Sequence, residues 1–148
     1  MTVVEEDCYR RTVRVDGEEV TIDILDTACR DPTSKLTENF LSTGDGFVIV
    51  YSIADRQSYI TVPRYKEMIG AVSCDTTNLG PVSFLLIGNK TDLDEHRSVA
   101  KKEGQTLVKR YGWSFGETSA AEYDVVDKCF SLRFNPRNTS TEAKTESI

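Results

Sequence analysis

An α/β fold with a mixed, mostly parallel sheet is what this sequence predicts, and three observations predict it. Two runs of nearly continuous apolar residues, 47–51 (Phe-Val-Ile-Val-Tyr) and 82–87 (Val-Ser-Phe-Leu-Leu-Ile), read as strands buried on both faces, as in a parallel sheet. Segments with helical spacing lie between and after these runs, so strand and helix alternate from Phe47 onward, with right-handed crossovers implied. Ahead of them, Asp16-Gly17 separates two β-branched segments and supplies an antiparallel hairpin.

In chain order, the hairpin strands fall at 11–15 and 20–25, followed by the buried strand 47–51. Val62, Tyr65, Ile69 and Val72 recur every three or four residues and share one face of a helix. The strand at 82–87 comes next. Ser98 is the expected cap of a helix whose packed face carries Leu107, Val108 and Tyr111. Residues 113–118 make a further, shorter strand, and Val125, Val126, Cys129 and Phe130 suggest a last helix that stops near Leu132. The folded part is thus expected over 1–132. Residues 133–148 make a polar tail, rich from Asn138 onward in Thr, Ser, Glu and Lys, with too little apolar surface to offset the entropy of ordering; disorder is expected there. No internal repeat is found.

The length of 148 residues, 39% hydrophobic and 28% charged, fits one globular domain. A formal charge of -6 argues against nucleic acid as a partner and against an anionic membrane surface, since both select a basic footprint. Cys8, Cys29, Cys74 and Cys129 lie far apart without a CxxC pair or a histidine cluster, so free thiols in a reducing cytosol are the simplest reading. His96 follows Asp94-Glu95 in a polar stretch and reads as a solvated loop residue rather than a base.

The chemistry concentrates in two loops. Gly88-Asn89-Lys90-Thr91-Asp92 follows the buried run ending at Ile87, and Glu117-Thr118-Ser119-Ala120 ends the next strand. Ligands of parallel sheets bind outside these carboxyl ends. The two segments resemble the guanine-recognition motifs of the small GTPase superfamily. Leu25-Asp26-Thr27-Ala28-Cys29-Arg30-Asp31 is similar to the switch II segment of Ras-type members, and Glu6-Asp7-Cys8-Tyr9-Arg10 to the end of their effector region. The likeness runs from about Glu5 to Leu132, with extra residues around 75–80; the Glu-Thr-Ser-Ala-Ala run and the lack of a lipidation box resemble Rit-like members.

This resemblance implies a P-loop NTPase-like small G domain that binds GTP or GDP with Mg2+, converts GTP and water to GDP and phosphate, and switches the binding of signalling effectors. It implies that the Asp92 carboxylate accepts hydrogen bonds from guanine N1 and the exocyclic amine, that Lys90 lies along the base, that Asn89 ties the loops, and that the Ala120 amide, beside Ser119, meets the guanine oxygen. Asp26 would act on Mg2+ through water. Glu6, Asp7 and Tyr9 would form a strand edge that pairs with effectors, with a charged edge that only deters aggregation as the alternative. Exchange and activating proteins are implied as further partners, and a cytoplasmic location with peripheral association at the inner face of the plasma membrane.

The sequence also departs from the pattern. The 148 residues contain no G-x-x-x-x-G-K-[ST] loop to cradle phosphates, so the first, central strand, that loop and the first helix are expected to be missing from this chain. Val4 stands at the switch threonine, Cys29 at the glycine that meets the γ-phosphate, and Arg30 at the glutamine that orients water; no catalytic residue is therefore assigned. Losing four or five phosphate contacts forfeits roughly 6–15 kcal/mol, which leaves nucleotide binding at about the millimolar level and hydrolysis impaired. A missing doubly buried strand would leave two inner sheet edges open, inviting aggregation or pairing with another chain. No C-a-a-X box ends the chain and the tail is not polybasic, so no lipid anchor is expected. Two alternatives stand beside the GTPase reading: a nucleotide-independent protein-interaction module, or an inactive truncated isoform.

Overall fold

The computed structural model describes residues 7–15, 17–26, 41–42, 44–73, 82–121 and 144–147. The hairpin forms as β1, Asp7–Val15, and β2, Glu18–Asp26, nine residues each and antiparallel from Asp7↔Asp26 to Val15↔Glu18. Both strands run longer than their apolar segments. Backbone pairing continues past the β-branched residues because a two-residue turn, with Gly17 at φ +89°, matches the twist of the strands.

β3, Gly46–Ser52, is the seven-residue strand expected from its apolar run. Its period of two sorts its side chains cleanly. Phe47, Ile49 and Tyr51 join the large core with Leu86, Val99, Val108 and Phe115, while Val48 packs with Leu85 and Ile87 in a second cluster on the opposite face. α1, Arg56–Ile60, starts at Asp55, whose Oδ1 accepts the amides of Gln57 at 3.0 Å and Ser58 at 3.4 Å. α2, Val62–Ser73, follows directly and buries Val62 and Ile69, with Tyr65 and Met68 partly covered against the same core. β4, Ser83–Asn89, lies parallel to β3 from Gly46↔Ser83 to Ser52↔Asn89.

A 3₁₀ turn, Thr91–His96, leads to α3, Lys101–Tyr111. The cap of α3 is Ala100 rather than Ser98: the Glu103 carboxylate accepts the Ala100 amide at 2.9 Å, and Ser98 instead donates to the Ile53 carbonyl. Glu103 also pairs with Arg56 at 2.8 Å, joining α1 to α3. Gly112, at φ +72°, ends the helix in the left-handed region that glycine tolerates. β5, Ser114–Glu117, then pairs in parallel with β4.

Lys144–Ser147, placed by sequence in a disordered tail, forms β6, parallel to β2 on one side and β3 on the other, so the order is β1-β2-β6-β3-β4-β5. The inner edges expected to lie open are therefore paired at residues 23–26 of β2 and 46–48 of β3. The physical reason is that ladder pairing uses backbone groups, which every non-proline residue carries, and two facing open ladders attract a strand whatever its side chains. The expected last helix around 125–132 lies outside the described residues.

Candidate functional site

β2, β3, β4 and β5 all run the same way, so Asp26, Ser52, Asn89 and Glu117 end at one edge of the sheet. At this edge the loops after β4 and β5 are laced together. The Thr118 amide donates to the Gly88 carbonyl at 2.9 Å, and the Thr91 amide to the Thr118 carbonyl at 3.2 Å. Side chains repeat the link: Ser119 Oγ donates to Asp92 Oδ1 at 2.7 Å, and the Ala120 amide donates to Asn89 Oδ1 at 3.1 Å. Ser119 is fully buried, and its oxygen also accepts the Ala121 amide at 3.2 Å, so its hydroxyl is satisfied as donor and acceptor. The Asn89 carbonyl accepts the Ile53 amide at 3.0 Å, which anchors the loop back to the end of β3.

Lys90 turns the chain. Its φ of 66° is the only positive value at a non-glycine among the described residues, and it swings the 3₁₀ turn away from the strand axis, leaving Asp92 exposed at the rim. A left-handed residue beside a carboxylate held at a strand end is the kind of local strain that functional loops carry.

A second tie lies behind the first. Arg97, just after the 3₁₀ turn, grips Glu117 with both nitrogens of its fork, Nη1 to Oε1 at 2.8 Å and Nη2 to Oε2 at 3.1 Å. Its Nε meets Asp94 Oδ1 at 2.6 Å and its Nη1 the Val99 carbonyl at 3.1 Å. The Glu117 carboxylate, and then Asp94, raise the Arg97 pKa above its ordinary value. Glu117 has a side chain only 8% exposed, so this is the most buried ion pair among those described. Beneath it Tyr51 packs its hydroxyl so close to two backbones that a Cβ at Gly88 or at Gly104 would stand 2.9 Å from it. Burial, and then the negative field of Glu117, push the Tyr51 phenol well above its usual pKa.

The sequence-predicted residues thus divide. Asn89, Asp92, Ser119 and Ala120 are brought together, with Lys90 exposed beside them. Asp26 shares their edge but stands three strand steps from β4, about 14 Å at ordinary spacing. Among the described residues no group of three His, Cys, Asp or Glu side chains gathers into a metal site. Asp7 and Tyr9 sit on β1, the end strand, where Tyr9 is 56% exposed; Glu6, Val4, Cys29 and Arg30 lie outside the described residues. Sequence reasoning assigned no role to Arg97, Glu117 or Tyr51. The available signal for the first two was a pair of opposite charges, Glu117 opening the second motif and Arg97 following the first.

Comparison with known proteins decides the ancestry of this edge. A model of the Ras family matches residues 1–135. The chain belongs to the Ras family. Its Ras-type relatives include the GTP-binding protein Rit2 of Rattus norvegicus, 39% identical over 84% of this chain and 56% of that protein. The Ras-related protein Ral-a of Drosophila melanogaster is 40% identical over 92% of this chain and 66% of its own length. The Ras-like protein rasS of Dictyostelium discoideum is 41% identical over 84% and 62%. The chain therefore spans about three-fifths of these relatives. The mixed, mostly parallel sheet agrees with a partial Ras-family G domain. No helix among the described residues is long and apolar enough to cross a membrane.

Proposed function

We propose that these 148 residues form the base-reading part of a Ras-type guanine-nucleotide switch, one that prefers guanine, takes GTP or GDP only weakly, and hydrolyses GTP poorly if at all. The observation that carries this reading is the pair of cross-loop hydrogen bonds, Ser119 to Asp92 and Ala120 to Asn89, at the carboxyl edge of the parallel strands. Ser119 fixes the rotation of the Asp92 carboxylate before any ligand arrives. A carboxylate so held accepts two parallel donors, N1–H and the exocyclic amine, which guanine presents and adenine does not. A wrong base leaves it short of partners, which discriminates by roughly 1–3 kcal/mol.

The Ala120 amide already donates to Asn89 Oδ1, so meeting the guanine oxygen either exchanges that acceptor for the new one or shares the N–H between the two. Binding is weak because the 148 residues contain no phosphate-cradling glycine loop. Mg2+, when bound, would neutralise phosphate charge, with Asp26 reaching it through water. Among the described residues no cluster of three His, Cys, Asp or Glu side chains would help to hold it.

Effectors, exchange factors and activating proteins are the partners this reading implies. A second reading, nucleotide-independent binding of a signalling partner, is favoured by one observation: end strand β1 presents an exposed Tyr9. Titration of the chain with labelled GDP and Mg2+ separates the claims. Half-saturation near ~1 mM is expected, and binding below the micromolar range would contradict the weakness assigned to the phosphate end. An Asp92→Ala variant that bound GDP as well as its parent would remove the base-reading role.

A further inference from the structure

We propose that Arg97 is a positioning residue for base recognition, a latch that sets the loop carrying Asp92 against the loop carrying Ser119 and Ala120. The inference rests on the guanine-reading function proposed above and assigns it a residue outside both motifs. Its basis is geometric. The 3₁₀ turn that bears Asp92 is tied to the β5 loop near its start by the Ser119–Asp92 bond. That bond and the one from the Thr91 amide to the Thr118 carbonyl lie together at the start of the turn and make a pivot, and the left-handed Lys90 just before them is the place where the turn would swing.

Arg97 ties the other end of the turn. Its planar fork takes both oxygens of Glu117, the last residue of β5, while its Nε holds Asp94 within the turn and its Nη1 holds the Val99 carbonyl beyond it. Ties at both ends fix an orientation where ties at one end fix only a point. The latch is also shielded: Glu117 is 8% and Arg97 24% exposed, so solvent screens it less than the exposed pair of Arg10 with Asp23. A charged fork with two parallel bonds has the directionality that a single ammonium lacks.

Base readers must stand within about 0.5 Å and 10–20° of their productive geometry, so a loosened turn is felt in recognition before it is felt in folding. The test compares the 148-residue chain with Arg97→Gln and Arg97→Lys by titration with GDP and with inosine diphosphate, which lacks the exocyclic amine. In Arg97→Gln the affinity for GDP is expected to fall about tenfold, with a smaller fall for inosine diphosphate, so that the preference between them shrinks. Arg97→Lys, which keeps the charge and loses the fork, falls between. A variant that merely folded less well would lose both affinities in proportion.

Amide hydrogen exchange gives a readout that needs no nucleotide. Exchange at Thr91, Thr118 and Ala120 is expected to quicken by about tenfold in Arg97→Gln and less in Arg97→Lys. Unchanged preference between the two nucleotides with unchanged exchange would overturn the latch, and quickened exchange with an unchanged preference would reduce Arg97 to a structural residue and overturn the recognition role. A parent chain that binds neither nucleotide would instead sink the guanine-reading function itself, and the exchange measurement would still decide whether Arg97 orders the loops.

Discussion

Tyr51 shows how sharply single residues are constrained behind the carboxyl edge of the parallel strands. Its ring is buried against Tyr59, with centroids 5.2 Å apart, while its hydroxyl has no hydrogen-bond partner among the described residues. Removing that oxygen deletes a desolvated polar atom and leaves the packing intact. Tyr51→Phe is therefore expected to be neutral or to stabilise the chain by up to about 1 kcal/mol in urea unfolding; a loss of more than that would show an acceptor not accounted for. The pH dependence has a definite sign. Burial raises the phenol's folded pKa above its unfolded value near 10, so its contribution is present below pH 10 and is lost as pH rises further, because the unfolded chain ionises first. Tyr51→Phe should flatten that alkaline decline. Gly104 is bound to the same cluster, since a Cβ there would overlap the Phe115 ring edge and crowd Tyr51 Oη. Gly104→Ala is expected to cost about 1–3 kcal/mol by overpacking, despite the better helix propensity of alanine, and an increase in melting temperature would contradict it.

Among elements, β3 and β4 were legible because doubly buried strands write themselves as apolar runs, β5 only as a short stretch after a helical one, and the hairpin because Asp16-Gly17 sits between its halves. The start of α3 was misplaced by two residues, since a serine is the usual cap and here a glutamate three residues into the helix takes over, reaching back to the Ala100 amide. β6 was not legible at all. Lys-Thr-Glu-Ser has no strand pattern, and what makes it a strand is its place between β2 and β3, a tertiary circumstance that no local window contains. That placement is open to direct test. Thr145 pairs with Ile24 on one side and Gly46 on the other, so Thr145→Pro removes its ladder donor inside the sheet and is expected to lower stability by ~3 kcal/mol. An unchanged urea midpoint would show that β6 contributes nothing to the sheet.

At the scale of the whole molecule, the family could be read from Asn89-Lys90-Thr91-Asp92 and Thr118-Ser119-Ala120, and so could the meeting of these two loops, because motifs at strand ends carry their structural context with them. What could not be read was how the two loops are held, since the Arg97–Glu117 pair spans twenty residues and is visible only once β4 and β5 lie side by side. The proposed function reduces to one claim: the sheet edge recognises guanine, and these 148 residues hold the phosphates weakly. The measurement that tests it most directly is a titration of the isotope-labelled chain with GDP and, in parallel, with ADP, following the amides of Asp92, Ser119 and Ala120. GDP is expected to shift these amides with half-saturation at ~1 mM, and ADP to leave them in place at the same concentration. Equal responses to the two nucleotides, or no response to GDP at about ten times that concentration, would contradict it.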